Sequence, residues 1–305
     1  MMTAKWNDPA FVVPSDTVWR ARYRALQSWY RETLIGAPAG EDDKGVLRGN
    51  LLPREWVALK PWSNFLTAEI AEYVEARMPV VGAAGGTMDE GRLVRNLLSS
   101  MPLCFNVFGY LRVYPMSAAR VFSRALGLDI RFVECIQVEW TPKGEHPLRD
   151  RTAFDALVEY RTHAGLRGFL GIETKYTEPF SQREDFSDVY RKITESSGSG
   201  FREGAAPRLK RIDTNQLWRN ALLAVSVRSS GSYSYGHVVV MAPEGDEEVR
   251  KALDGLSAEL IEPSSLILSV SLETFTGAAE SEPSLKQWAQ AFRRRYLDLE
   301  QIRST

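Results

Sequence analysis

The feature that most constrains the fold is a change of hydrophobic period after residue 128. From there, three segments alternate apolar with polar residues, the spacing typical of strands. They have the sequences DIRFVECIQVEW (129–140), TAFDALVEYR (152–161) and RGFLGIETKYTE (167–178). Because these segments are rich in β-branched and aromatic residues, which favour a pleated surface, the sequence predicts three successive strands.

Helical patterns lie on both sides of these strands. A helix that starts near Leu93 is expected to be kinked or broken at Pro102. Beyond the strands, Leu217, Leu222 and Val225 mark a second helix, which leads into a fourth strand, HVVVMAP. The predicted fold class is α/β, with a mixed sheet flanked by helices and the core order helix, three strands, helix, strand.

The chain continues beyond this core in both directions. Residues 1–87 predict a helical N-terminal extension, in which Asp16 caps the first helix and Pro79 stops the helix FLTAEIAEYVEARM. The glycine-rich VVGAAGGTMDEG that follows is predicted to be a turn. Residues 88–245 form the predicted core, and residues 246–305 predict a helix, strand and helix packed on it.

The composition limits which cellular compartment and which kinds of partner the protein is expected to have. With 38 Lys and Arg against 39 Asp and Glu, the net charge is −1, so an anionic partner must be met by local patches. Cys104 and Cys135 lie in apolar runs, as free thiols of a reducing compartment do. No window approaches the 18 apolar residues of a membrane span, and no export signal is evident. We expect a cytoplasmic protein without membrane contact.

P-loop, nucleophile-elbow and kinase motifs are missing from the sequence. The candidates left for catalysis are therefore carboxylates on the second and third strands. A hairpin centred on Ala164 would place Asp155 opposite Glu173, with Lys175 on the face of Glu173. Opposed Cβ atoms lie about 4.5–5.5 Å apart, near enough for two carboxylates to share a hard cation. Gly171, on the same face, is expected to leave room for a substrate.

This arrangement suits phosphodiester hydrolysis. Mg²⁺ held by carboxylates lowers the pKa of a bound water, and Mn²⁺ can substitute for it. The lysine can orient or deprotonate that water, or offset phosphate charge. A second acid-x-Lys match, Asp42-Asp43-Lys44, lies in a glycine-rich loop and is interpreted as a solvated turn. The alternative for Glu173 and Lys175 is an edge strand protected by charges.

The strand with Asp155 and the strand with Glu173-x-Lys175, between helices, resemble the core of the PD-(D/E)xK, or restriction-endonuclease-like, nucleases. Within it, LLSSMPLCFNVFGYL, QVEW, FDALVEY, GIETKYTE and TNQLWRNALLA resemble the restriction-endonuclease-like family typified by a Porphyromonas hypothetical protein. The resemblance covers roughly residues 88–245. It implies that Asp155 and Glu173 are metal ligands and Lys175 the catalytic lysine. Phe154 stands where the superfamily motif has proline.

Two further residues are candidates for the same site. Glu139, near the end of the first strand, is either a third metal ligand, a more distant acid, or a solvated strand end. Gln216 resembles a glutamine that several of these nucleases place against the site, although a helix-surface amide is the alternative. Both rank above Glu90, at the start of the first core helix.

Nucleic-acid contact requires cations near the metal site, since phosphate contacts supply most non-specific affinity. The preferred patch lies between the third strand and the following helix and consists of Arg202, Arg208, Lys210 and Arg211. The arginines of the helix that begins near Trp19, namely Arg20, Arg22, Arg24 and Arg31, and the run Arg293 to Arg295 are interpreted as solvated helix faces.

The predicted function is a Mg²⁺-dependent nuclease that cuts DNA; the resemblance implies an endonuclease of a bacterial restriction, defence or DNA-processing system. RNA as substrate and a homodimer as assembly stay open. One alternative is a protein of the same fold that binds nucleic acid or a protein partner without cutting. Another is a scaffold whose flanks bind partners, with the strand charges serving solubility.

Overall fold

A computed structural model describes residues 11–83, 88–142 and 144–303. Two short strands, β1 and β2, form a separate ribbon, and five longer strands form the main sheet. The strands are β1 (Gly40–Glu41), β2 (Leu47–Arg48), β3 (Phe132–Trp140), β4 (Phe154–Arg161), β5 (Arg167–Thr174), β6 (Tyr235–Ala242) and β7 (Ile267–Ser271).

Helices cover both faces of the main sheet. The α-helices are α1 (Val18–Tyr30), α2 (Arg54–Leu59), α3 (Ala68–Ala83), α4 (Glu90–Arg95), α5 (Ser100–Leu111), α6 (Pro115–Leu126), α7 (Asp188–Thr194), α8 (Ala206–Leu209), α9 (Ile212–Ser229), α10 (Glu247–Ser257), α11 (Leu272–Glu280) and α12 (Lys286–Tyr296). A π-helical turn (Arg31–Ile35) and two 3₁₀ turns (Pro263–Ser265 and Leu299–Ile302) complete the helical elements of the described residues. Among these residues, no helix is both long and apolar enough to cross a bilayer.

The main sheet is mixed and has the strand order β3-β4-β5-β6-β7. Strand β4 pairs antiparallel with both β3 and β5, whereas β5, β6 and β7 run parallel to one another. Ala156 pairs with Ile172 and Arg161 with Arg167, so the hairpin register is the predicted one, centred on residue 164. The predicted α/β fold class is therefore confirmed. The ladder ends at Ala156 and Ile172, and the same register extended by one residue would set Asp155 opposite Glu173.

The sheet separates two hydrophobic cores. On one face, helices α1, α5, α6, α11 and α12 cover a core that includes Phe105, Phe122 and Trp288. On the other face, α7, α9 and α10 cover a core that includes Leu217 and Trp218. Strand residues alternate between the two cores, which is the physical origin of the period of two in the sequence.

Elements from both sides of the predicted core region contribute to the first of these cores. The Gln27 amide, on α1, donates hydrogen bonds of 2.8 Å to the Tyr176 hydroxyl and to the main-chain carbonyl of Arg295, on α12. Tyr176 in turn donates to the carbonyl of Tyr296. Strand β7, from residues 246–305, is the fifth strand of the sheet. The division at 87 and 245 stays a prediction from sequence.

Several local expectations were wrong. Pro79 lies inside α3, which runs on to Ala83, so residues 80–83 of the expected turn are helical, while residues 84–87 lie outside the described residues. The expected helix break falls at residues 96–99 and not at Pro102, which occupies the first turn of α5, where its missing N–H needs no partner. Thr17, not Asp16, caps α1. Helix α11 was not anticipated.

Three arginines expected on solvated helix faces are buried. Arg24 forms an ion pair with Asp16, and Arg31 donates to main-chain carbonyls of Gly49 and Ala37. Arg295 is 0% exposed and donates to the carbonyl of Asn64. A guanidinium with its hydrogen bonds made inside the protein can be buried among apolar neighbours, which a helical pattern alone does not reveal.

Gly171 leaves room for a neighbouring ring, not for a substrate as expected. A Cβ atom on Gly171 would lie 2.5 Å from Cζ of Phe154, which is closer than any van der Waals contact. Gly168 lies against Tyr160 in the same way. Phe154, the residue before Asp155, is therefore held over β5 because β5 has no side chain at that position.

We expect Gly171→Ala to lower the free energy of unfolding by about 1–3 kcal/mol, because the added methyl group overpacks against Phe154. Urea denaturation measures this. The loss should shrink in a Phe154→Leu background, where the ring is absent. Gly82→Ala, in open space near the end of α3, is the control and should be neutral or stabilising. An equal loss in both backgrounds would contradict the packing explanation.

Candidate active site

One cavity of about 520 Å³ lies at the end of β5 and brings together all five residues proposed for the catalytic and metal sites. Its walls include Glu139, Asp155, Glu173, Lys175 and Gln216. They come from three adjacent strands and from α9, so the sheet register and the packing of α9 place them. The charged-edge alternative for Glu173 and Lys175 does not fit, because both side chains are less than 10% exposed and β5 is a central strand.

Asp155 lies at the second position of β4, where the ladder with β5 ends. Its Oδ2 accepts hydrogen bonds of 2.7 Å from both the main-chain N–H and the hydroxyl of Thr174. The Cys104 thiol donates to the carbonyl oxygen of Asp155. The carboxylate is thus held across the end of the sheet, and its second oxygen, Oδ1, has no such restraint from Thr174.

Glu173 is the most enclosed acid, with a residue exposure of 3%. Its Oε1 accepts from the Gln216 amide at 2.7 Å and lies 3.0 Å from Nζ of Lys175. Its Oε2 accepts from the Asn220 amide at 2.8 Å. Three donors therefore compensate a buried negative charge, which would otherwise be strongly destabilising.

Lys175 follows the last residue of β5 and is fixed from several sides. Its Nζ contacts Glu173, donates to Gln216 Oε1 at 3.3 Å and lies 4.5 Å from the centre of the Phe180 ring. Gln216 Oε1 also accepts from the main-chain N–H of Ser181 at 2.7 Å, which fixes the orientation of its amide. Burial lowers the pKa of Lys175, but the charges of Glu173 and Asp155 outweigh it, and the pKa is raised.

Glu139 has an unusual backbone. Its φ of 53° is left-handed, although it lies within β3. Helix α3 covers the strand here: Arg77 donates to the carbonyls of Val138 at 2.7 Å and Glu139 at 3.0 Å, and the Tyr73 hydroxyl accepts from the N–H of Val138. Side chains of α3 thus replace the ladder partner that this edge lacks, and they support a conformation that L-residues rarely adopt.

Burial and mutual repulsion raise the pKa values of two acids of the cavity. Burial, followed by the charge of Glu173, raises the pKa of Glu139 to about 7. Burial and then the charges of Glu173 and Glu139 raise the pKa of Asp155 well above its ordinary range. A group of oxygen ligands whose negative charges repel in this way suits a hard divalent cation, which supplies the missing positive charge.

Within the described ranges, histidine, cysteine, aspartate and glutamate side chains form no ready-made group of three or more that could hold a metal ion. In this structure, hydrogen bonds from the protein engage Glu173 at both oxygens and Asp155 at one. The donor chemistry nevertheless fits Mg²⁺, which prefers one or two carboxylates together with water.

The predicted nucleic-acid patch does not line this cavity. Arg202, Arg208, Lys210 and Arg211 lie around α8 and just before α9. Arg208 pairs with Glu259 at 2.6 Å, and Arg211 pairs with Asp213 at 3.0 Å. Glu90, in the first turn of α4, also lies outside the lining residues.

Sequence reasoning missed several residues of the site. Asn220 lies four residues after Gln216, hence on the same face of α9, and this amide pair was the available signal. Thr174, the central residue of the Glu-x-Lys motif, holds Asp155. Arg20 and Arg92 also line the cavity; they come from distant segments, and no local spacing connects them with it.

Comparison with protein families identifies the chain. The model of a family described as PD-(D/E)XK nuclease superfamily matches residues 14–298. The match covers more than nine-tenths of the 305 residues, so the chain belongs to the PD-(D/E)XK nuclease superfamily. The predicted resemblance is confirmed, and it extends beyond residues 88–245 over most of both flanks. No curated protein and no solved structure matches the chain. Membership of this superfamily supports the interpretation that the protein is a nuclease.

We expect the free energy of unfolding of Glu139→Gly to be about 1–2 kcal/mol higher than that of Glu139→Ala, because only glycine adopts a left-handed conformation without a Cβ penalty. Both variants lack the carboxylate, so the comparison isolates the backbone. Urea denaturation of the pair provides the measurement.

Gln137, which pairs with Leu157 in the regular part of β3, offers the control. There the order should reverse, with Gln137→Gly less stable than Gln137→Ala by about 0.5–1 kcal/mol. The same order at both positions would show that the conformation of Glu139 carries no strain.

Proposed function

We propose that the protein is a Mg²⁺-dependent nuclease that hydrolyses phosphodiester bonds of DNA. The observation that carries this proposal is the meeting of Asp155, Glu173 and Lys175 in one cavity, in the order and on the strands of the superfamily motif. The proline-to-phenylalanine change before Asp155 leaves these three side chains together. The restriction, defence or DNA-processing setting is supported by family resemblance alone.

Asp155 and Glu173 would hold the cation, with Glu139 as a third acidic oxygen donor. When bound, Mg²⁺ lowers the pKa of a water ligand and neutralises charge on the reacting phosphate, and Mn²⁺ supplies the same chemistry. Lys175 forms an ion pair with Glu173, and among the described residues no ion pair engages Asp155 or Glu139. These two acids therefore have negative charge that a bound cation can neutralise.

Lys175 is the residue that we propose to act on water and phosphate. Its ammonium is positioned by Glu173, Gln216 and the Phe180 ring. From there it can orient the attacking water and offset the negative charge that develops on phosphate. Gln216 acts as a positioning residue, because its amide oxygen accepts from Lys175 while its amide nitrogen donates to Glu173.

We expect Lys175→Met to lower the rate of plasmid cleavage in Mg²⁺ or Mn²⁺ by at least about 10²-fold, the typical contribution of a positioned proton-transfer group. Glu173→Gln should have a similar effect, because it removes a carboxylate ligand. Removal of divalent ions with EDTA should abolish cleavage by the wild type. Agarose-gel analysis of supercoiled DNA measures all three, and a parallel assay with single-stranded RNA measures the substrate preference.

The matched control is Lys44→Met, which alters the second acid-x-Lys match of the chain. Asp42 there accepts from the main-chain N–H groups of Lys44 and Val46, so this copy is a solvent-exposed turn, as interpreted from the sequence. Lys44→Met should cut at the wild-type rate. No cleavage with any divalent metal, or equal cleavage by Lys175→Met, would refute the proposal. Salt-sensitive DNA binding without turnover would instead favour a protein of this fold that binds nucleic acid without cutting it.

A further inference from the structure

We infer that Arg20 and Arg92 form a phosphate-binding pair at the mouth of the active-site cavity and contact the backbone of the nucleic acid. This inference rests on the proposed function and assigns its substrate contacts. Both side chains line the cavity that contains Glu173 and Lys175. The two arginines belong to α1 and α4, which are far apart in the sequence.

Arg20 is held by an ion pair at its Nε, and its terminal nitrogens are available as hydrogen-bond donors. Its side chain is 37% exposed, and its Nε lies 3.3 Å from Asp16 Oδ1. That Nε is buried and makes no hydrogen bond of acceptable geometry. In the part of the chain that the structure describes, no hydrogen bond engages the terminal nitrogens of Arg20. A guanidinium of this kind, anchored at one end and open at the other, can accept a phosphate bidentately.

Arg92 is oriented by two contacts on one nitrogen. Its Nη2 donates to the Ser99 hydroxyl and to Glu178 Oε1, both at 3.1 Å, and the side chain is 46% exposed. Glu178 is itself fixed by the main-chain N–H of Ser100. The guanidinium is thus pre-positioned at the cavity wall, so little side-chain entropy is lost when a ligand binds.

The charge balance of the cavity supports this assignment. Four acids line it: Glu139, Asp155, Glu173 and Glu178. Three cations line it as well, but Lys175 is buried and paired with Glu173. A polyanion that approaches these acids is repelled unless exposed cations lie at the entrance. Among the described lining residues, only Arg20 and Arg92 meet that requirement.

The patch expected from the sequence is less suited to this task. None of its four residues borders the cavity that contains Glu173 and Lys175. A phosphate bound by this patch would therefore lie away from the reacting bond. We therefore assign the phosphate contacts nearest the reacting bond to Arg20 and Arg92.

Fluorescence anisotropy with a short labelled DNA duplex tests the assignment. The titration uses the Lys175→Met background, which keeps both arginines and in which we expect cleavage to be at least about 10²-fold slower, and it is repeated at several salt concentrations. We expect Arg20→Gln and Arg92→Gln each to raise Kd about 5- to 10-fold and to reduce the slope of log K against log salt by about 1. Arg92→Lys should retain part of the affinity, because the charge remains while the planar fork is lost.

Arg22→Gln is the matched control, since it removes the same charge from the same helix outside the cavity lining. It should bind like the parent protein. Wild-type affinity and salt slope in the Arg20→Gln/Arg92→Gln double variant would overturn the inference, as would an equal loss in Arg22→Gln. If instead the wild-type protein shows neither DNA binding nor metal-dependent cleavage, the proposed function itself fails, and the inference fails with it.

Discussion

The buried carboxylate of Glu173 is the constraint on which the rest of the site depends. A charge with 3% exposure is tolerated inside a protein only when donors surround it. Lys175, Gln216 and Asn220 supply those donors, and two of them lie one turn apart on α9. The end of β5 and the start of α9 are therefore bound to each other electrostatically, and the geometry around the lysine follows from that attachment.

Local pattern predicted the parts of the structure that local physics determines. Side-chain alternation located the three antiparallel strands, and the β4-β5 hairpin has the predicted centre, which brings the strand ends with Asp155 and Glu173 to the same cavity. The Glu-x-Lys motif was separable from its copy at Asp42 by context alone, since only the former lies in an apolar strand. These features depend on neighbours within about ten residues or on one short hairpin.

What the sequence did not predict depends on contacts between distant segments. Arg295 is buried because Asn64, more than 200 residues away, accepts its hydrogen bonds. Helix α3 continues past Pro79. Arg77 from that same helix supports the left-handed backbone of Glu139. Arg20 reaches the cavity because α1 packs against Tyr176, where Tyr23 and Tyr176 meet edge to face. No spacing rule within one segment encodes such contacts.

The hydroxyl of Tyr176 has a consequence for how such a protein can change over evolution. Tyr176 follows Lys175 directly in the chain. Its hydroxyl accepts a hydrogen bond from Gln27 on α1 and donates one to the carbonyl of Tyr296 on α12. A recombination event that transplanted only the segment from β3 to β6 would leave this phenol buried without partners. Successful exchange of modules between relatives should therefore carry α1 and α12 along with the catalytic strands, as one inherited unit.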